Sequence, residues 1–292
     1  MTKIRNILFP IDFSPESTEA AEYVKQRARQ FEASITVLHV ADPKHFFIHG
    51  GDLSLRPLQE IQADLVAVHE QRFRQLVAKL FDAASVASLM RVGDEAETIT
   101  SIAEEKACDV IMLPMKHQSL VSAVFEESVP AKVMELSDAA VWTVQNSYSL
   151  SPYLPYFSTL CALDFHPDGS LHDQNQRIVE TAKLVSQQLN TKLTFVHVIA
   201  EDDMQEGGGL SGIRLNVWLE EQLLQIRREV DTEATYVLEH GNVPSAVIEA
   251  AKRAGAGLII TGRSHSSSLS GRARSTVLRV VRSSPCPLLS VR

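Results

Sequence analysis

Apolar and polar positions alternate along this chain in two rhythms, short unbroken apolar runs and longer stretches of helical period. Residues 4–13 form an apolar run closing at Asp12, the pattern of a strand buried on both faces. Ser14-Pro15-Glu16 then supplies an N-cap, a proline at the first helical position and an acid in the first turn. Ala20, Ala21, Val24, Ala28 and Phe31 follow at helical spacing. Residues 34–40 predict a second strand ending in His39-Val40. A polar, His-containing loop leads to a long helix with Leu58, Ile61, Leu65 and Val68 on one face. A third strand ends at Val92-Gly93, and a short helix carries Ile99, Ile102 and Ala103. Residues 110–113 and 141–144 supply two further strands.

Residues 145–156, with Ser147, Ser149, Ser151, Pro152 and Pro155, read as a linker. Then the order begins again. Asp164 in Leu163-Asp164-Phe165-His166-Pro167 echoes Asp12, His197-Val198 echoes His39-Val40, Gly241 answers Gly93, and His265 answers His117. The offsets are 152, 158, 148 and 148 residues. Four anchors in one order at near-constant offset indicate a duplicated domain, much longer than a solenoid repeat. We therefore expect domain 1 over 1–146, a linker over 147–156 and domain 2 over 157–292. Alternating apolar strands and amphipathic helices predict the α/β class, two doubly wound open parallel sheets sandwiched by helices. In such sheets ligands bind beyond the carboxyl ends of the strands, where strand order reverses. Asp164, Val198 and Gly262 all sit at predicted carboxyl ends.

Candidate chemistry concentrates in residues 258–276. An apolar β-branched run stops at Gly262, a loop with Arg263, Ser264 and His265 follows, and an apolar-periodic segment starts after Ser275-Thr276. Strand, small-residue loop and hydroxyl-capped helix make up a phosphate-binding arrangement, because glycine admits an anion to the backbone and helix-start N–H groups point at it. Residues 262–276 carry Arg263, Arg272 and Arg274 with no acid. The matching stretch 114–128 carries Lys116 against Glu126 and Glu127, has no glycine, and begins with Pro114, which lacks an N–H. Coulomb attraction of a polyphosphate thus favours only the second half, and the first reads as degenerate.

The net charge of −8 argues against a general nucleic-acid or membrane-surface role. No apolar run approaches the roughly 20 residues of a membrane span, and no signal-peptide core precedes the first strand. Cys108, Cys161 and Cys286 are isolated in apolar settings, which reads as buried thiols of a cytoplasmic protein. His45 and His49 are four apart, a zinc-compatible spacing on a helix; a solvated loop beside Gly50-Gly51 is the favoured reading. His39 and His197 read as core histidines, Leu219, Leu223, Ile226 and Val230 as a helix core stripe, and Gly207-Gly208-Gly209 as a loop.

These features together resemble a tandem universal stress protein, with two such domains on one chain. The resemblance rests on the strand-terminal Asp with a following Ser/His-Pro, the His-Val strand end, the glycine loop, and the closing Ser284-Pro285-Cys286-Pro287 before residues 288–291. It implies an adenine nucleotide, ATP or a related one together with Mg2+, in the second domain. The residues it assigns to that ligand are Leu163, Asp164, Val198, Gly262, Arg263, His265, Ser275, Thr276 and Val277. His265 stands where a second glycine is expected, and Ser275-Thr276 where Gly-Ser/Thr is expected. The expected role is regulation of an unidentified protein partner during stress, without catalysis, because no acid–base constellation accompanies the loop. A scaffold with two vestigial sites is the alternative. Pairing of the strands at 141–144 and 288–291 would make an intramolecular pseudo-dimer, with a homodimer also open.

Overall fold

The computed structural model describes residues 3–42, 58–82, 85–115, 128–145, 158–165, 172–200, 210–230, 233–263 and 271–292. In the first of two compact units, built from Ile4–Asn146, strand and helix alternate. They run β1 (Asn6–Pro10), α1 (Pro15–Phe31), β2 (Ser34–Ala41), α2 (Leu58–Leu80), β3 (Ala87–Val92), α3 (Glu95–Glu105), β4 (Val110–Met115), α4 (Val129–Leu136) and β5 (Ala140–Gln145). The strands lie in the order β3-β2-β1-β4-β5, all parallel. The winding goes outward from β1 to β3 and then returns to the other side at β4, so strand order reverses between β1 and β4.

The second unit, built from Ser147–Arg292, repeats this winding. Its elements are β6 (Ser158–Leu163), α5 (His172–Leu189), β7 (Lys192–Ala200), α6 (Leu210–Glu229), β8 (Ala234–Gly241), α7 (Val243–Arg253), β9 (Ala256–Gly262), α8 (Gly271–Ser283) and β10 (Leu288–Val291). The order β8-β7-β6-β9-β10 is again all parallel, with the reversal between β6 and β9.

The helices begin where the sequence supplies a cap. Ser14 accepts from the Ser17 N–H with Pro15 behind it, Asp94 accepts from Ala96 and Glu97, and Asn242 accepts from Ser245. Each such cap is worth about 0.5–2 kcal/mol. Ala20, Ala21, Val24, Ala28 and Phe31 are buried on α1, the expected face. On α2, of the expected face only the Val68 side chain lies among the described residues, and it is exposed; among the described residues Phe73 and Val77 are buried, because the helix turns His69 and Phe73 toward His39 of the sheet. The stripe Leu219, Leu223, Ile226 and Val230 is buried as expected.

The duplication reaches the backbone. Glu32 and Asn190, just past α1 and α5, both take a left-handed φ of 52°. Past α3 and α7, Ala107 and Gly255 do the same at 46° and 57°. Left-handed residues there turn the chain out of the helix and let its last carbonyls find donors, as in the Cys108 N–H to Ala103 O bond of 2.8 Å.

Candidate functional site

Parallel pairing brings distant residues to one edge. In the second unit β6 pairs with β9 through Ala162 and Thr261. One step on, Leu163 and Gly262 end their strands, and Asp164 and Arg263 leave the sheet side by side at the reversal point. β7 pairs with β6 through His197 and Leu163, so Val198 stands on the next position outward. Leu163, Val198 and Arg263 are buried, and Asp164 is exposed. Leu163, Asp164, Val198, Gly262 and Arg263 therefore occupy one strand-end edge.

His265 lies outside the described residues, as do Lys116, His117, Glu126, Glu127, His45, His49 and Gly207-Gly208-Gly209. Ser275, Thr276 and Val277 all lie inside α8. The expected hydroxyl cap is corrected here: α8 starts at Gly271, four residues before Ser275, so Thr276 does not cap it. Arg272, Ala273 and Arg274 are good helix formers that extend the helix toward its N-terminus.

The two strand histidines perform one task twice. His39 Nδ1 bonds to the Ile11 carbonyl at 3.0 Å, and His197 Nδ1 bonds to the Leu163 carbonyl at 3.1 Å. A carbonyl only accepts, so Nδ1 carries the proton in both rings. The carbonyls belong to the residues just before Asp12 and Asp164. Each histidine thus pins the strand end from which an aspartate departs, as expected for core histidines.

The aspartates differ. In the first unit the Asp12 carboxylate Oδ1 accepts from the Ser14 N–H at 3.0 Å, from the Ser17 hydroxyl at 2.7 Å and from the Ser14 hydroxyl. The Asp12 N–H donates to Ser17 Oγ at 3.1 Å. Asp12 is thereby engaged in starting α1. In the second unit the Asp164 backbone is held instead. Buried Asn175 accepts the Asp164 N–H at 3.2 Å and donates to its carbonyl at 2.6 Å. Gln174 beside it fills the space next to Gly262, where an added Cβ would come within 2.7 Å of its amide carbon. A side chain at position 262 would need the Gln174 side chain to swing aside.

Ser17, Gln174 and Asn175 were missed by sequence reasoning. A signal existed. The repeat offset rises from 152 at Asp164 to 158 at His197, so extra residues separate the second aspartate from α5. With the larger offset Asn175 is the counterpart of Ser17.

The surroundings of the histidines also differ. His39 Nε2 faces His69 Nδ1 at 3.3 Å, and the two rings stack with centroids 5.7 Å apart. Phe13 lies against both, with the Arg72 guanidinium 4.1 Å above its ring. Burial lowers the His39 pKa, and His69 adds to this by charge repulsion. Burial and then Arg72 lower that of His69. In the second unit Phe165 packs on His197 at 5.2 Å, and Trp218 stands edge-on to Phe165 at 6.5 Å.

A cavity of about 190 Å³ lies at the reversal point of the first unit. Asp12 and Glu95 line it with apolar side chains and with Pro114 and Pro130. All three cysteines are buried thiols, with burial pushing Cys108 up to about 11 and Cys286 up to about 12. Among the described residues no cluster of three or more His, Cys, Asp or Glu could hold a metal ion, and no helix is long and apolar enough to cross a membrane.

Two units of doubly wound parallel strands on one chain, each with an aspartate at its reversal point and Pro114 or Gly262 on the neighbouring strand, define the adenine nucleotide alpha hydrolase-like class. Within that class the comparison is specific. The model of the universal stress protein family matches residues 3–145 and again 160–292, and the chain belongs to that family. A universal stress protein of Synechocystis sp. is 27% identical over 149 residues, covering 48% of this chain and 85% of that protein. The crystal structure of a universal stress protein from Archaeoglobus fulgidus is similar at a TM-score of 0.72 and 20% identity, covering 100% of this chain and 97% of that one. Another universal stress protein from Archaeoglobus fulgidus, solved in complex with dAMP, is 15% identical with a TM-score of 0.36, covering 48% of this chain and all of its own.

Proposed function

We propose that this chain is a regulatory stress-response protein whose second unit binds an adenine nucleotide, ATP or a related one, and whose contacts with a protein partner change with occupancy. The observation that carries this reading is the side-by-side departure of Asp164 and Arg263 at the reversal point of the second sheet. Family membership and the three arginines of residues 262–276 support it. Asp164 is the acceptor for ribose or adenine hydroxyl and amino groups. Arg263 attracts phosphate oxygens, and a divalent ion would enter with the phosphates. No acid–base pair accompanies the loop, so the role is binding and not turnover.

One observation favours a second reading, an interaction protein with two vestigial sites. Gln174 already fills the space beside Gly262, and a phosphate approaching that glycine has to displace it.

Mass spectrometry of small molecules released from freshly purified, denatured protein separates the two readings. Calorimetry then locates the site. Asp164→Ala should weaken ATP and adenosine alike, Arg263→Ala should weaken ATP more than adenosine, and Asp12→Ala should do neither. A charge-assisted bond to phosphate is worth roughly 1.5–3 kcal/mol, so the Arg263→Ala loss should be about tenfold or more. No binding by the wild type at millimolar ATP would leave the interaction protein as the reading.

A further inference from the structure

The first turn of α5 reaches across the reversal point of the second unit. Asn175 is buried and holds the Asp164 backbone twice, accepting its N–H at 3.2 Å and donating to its carbonyl at 2.6 Å. That clamp fixes the start of α5 on the end of β6. Gln174, one residue earlier, extends over the end of the neighbouring β9. Its Cγ, Cδ and Nε2 are the three heavy atoms nearest the point where a Cβ on Gly262 would stand, at 2.9, 2.7 and 2.8 Å. Asp164, at the same edge, is exposed. The first unit differs at the matching place. The counterpart of Gln174 at the larger repeat offset is Glu16. Glu16 is not among the described residues that line the cavity bounded by Asp12, Ser17 and Pro114.

From this geometry we infer that Gln174 is a specificity-determining residue of the second unit's site: it covers Gly262 against phosphate, leaves Asp164 open to the nucleoside, and so weighs adenosine against ATP. The inference rests on the nucleotide reading of that unit. Its physics is competition for one place. Phosphate oxygens have to approach the backbone at Gly262 closely, and the Gln174 side chain holds that place in the free protein. The contacting atoms belong to the outer part of a flexible side chain, so Gln174 leaves by rotation about its own bonds while α5 stays folded. The apparent affinity for ATP is then the intrinsic one reduced by the fraction of molecules in which Gly262 is uncovered. Adenosine carries no phosphate, does not need Gly262, and escapes that reduction.

The test is calorimetry of the full chain with ATP and with adenosine, on the wild type, Gln174→Ala and Gln174→Met. Gln174→Ala should tighten ATP about tenfold, the gain expected if the side chain covers Gly262 about nine-tenths of the time, and should change adenosine by less than about twofold. Gln174→Met keeps the length and loses the amide, so it should bind ATP as the wild type does, because space and not a hydrogen bond sets the effect. If alanine disturbs the start of α5, seen by circular dichroism, Gln174→Ser makes the same shortening and decides alone. Equal ATP affinity of the wild type and Gln174→Ala would overturn the inference and leave the nucleotide reading standing. Weaker ATP binding by Gln174→Ala would overturn it by making Gln174 a phosphate ligand, and equal tightening of ATP and adenosine would overturn it by showing a general loosening of the site. If neither protein binds adenosine or ATP, the nucleotide reading itself fails, and this inference falls with it.

Discussion

The two aspartate strand ends began as copies of one another and now do different work. In the first unit Asp12 spends its carboxylate on Ser14 and Ser17 and so belongs to the start of α1. In the second, Asn175 takes over the backbone that Ser17 served, and the Asp164 side chain is left at the exposed edge. Extra residues before α5 made this exchange possible, since a longer loop needs a longer side chain to tie it down. One layer inward the histidines and their carbonyl bonds are unchanged. The layer beyond them diverges again, with His69 in one unit and Trp218 in the other. The lesson is physical. A buried carbonyl without a donor costs about 1–3 kcal/mol whatever the ligand, so the histidine stays while the groups around it drift.

The largest expected contrast lies in the core. Trp142 and Leu289 occupy corresponding strands, both fully buried. Trp142 is flanked edge-on by Tyr23 and Phe31 at 6.4 and 6.1 Å. Trp142→Ala should destabilise the first unit by about 3–5 kcal/mol and Leu289→Ala the second by about 2–5 kcal/mol, read by hydrogen exchange of each unit's strands. A smaller loss for Trp142→Ala would show that the aromatic cluster is not the tighter core.

The loop ties come next. Asn175→Ala removes two bonds and leaves the Asp164 N–H and carbonyl unpaired, so the second unit should lose roughly 1–3 kcal/mol. Ser17→Ala should cost the first unit less, because Ser14 still serves Asp12. Equal losses would mean that Asn175 is not the main tie.

A smaller contrast concerns the left-handed pair. Gly255 has open space where a Cβ would go, so Gly255→Ala should cost about 1–2 kcal/mol from its φ of 57° alone. Ala107→Gly should gain up to about 1 kcal/mol by relieving the same strain, less the added entropy of the unfolded chain. Denaturant midpoints check both signs.

The smallest effect is pH dependence. His39 and His69 have folded pKa values below the usual 6.5. Near and below that pH the unfolded chain binds protons that the folded rings refuse. Stability of the first unit should therefore be full above about pH 6.5 and fall as acid takes the pH down through the folded values. His69→Phe should flatten this slope, because His39 then loses its charged neighbour. An unchanged slope would remove His69 from the explanation.

Much of the architecture was legible because burial on both faces forces strands to be apolar throughout, and helices to show a stripe. The repeat was legible because Asp12 and Asp164, His39 and His197, and Gly93 and Gly241 sit at strand ends, where few residue types serve. Val68 misled because an apolar residue on a long helix satisfies the period from more than one face. The cap at Ser275-Thr276 misled because helix propensity at residues 271–274 extends the element upstream of the hydroxyls. The offset pairs Asn175 with Ser17, but what either residue, or Gln174, ties down was not legible, since polar residues in a first helical turn look alike until their partners are known.

The sequence by itself determined the order of elements, the parallel winding, the duplication and the charge contrast between residues 114–128 and 262–276. Periodicity, capping chemistry and Coulomb sign are local properties that a chain carries in any conformation. The tertiary structure decided which aspartate is spent on its own helix, that Gln174 packs on Gly262, and that the proline-lined edge of the first unit encloses a cavity. Those outcomes depend on strand register and on side chains that meet only after parallel crossovers have brought distant residues within a few ångströms, and no local pattern encodes such a meeting.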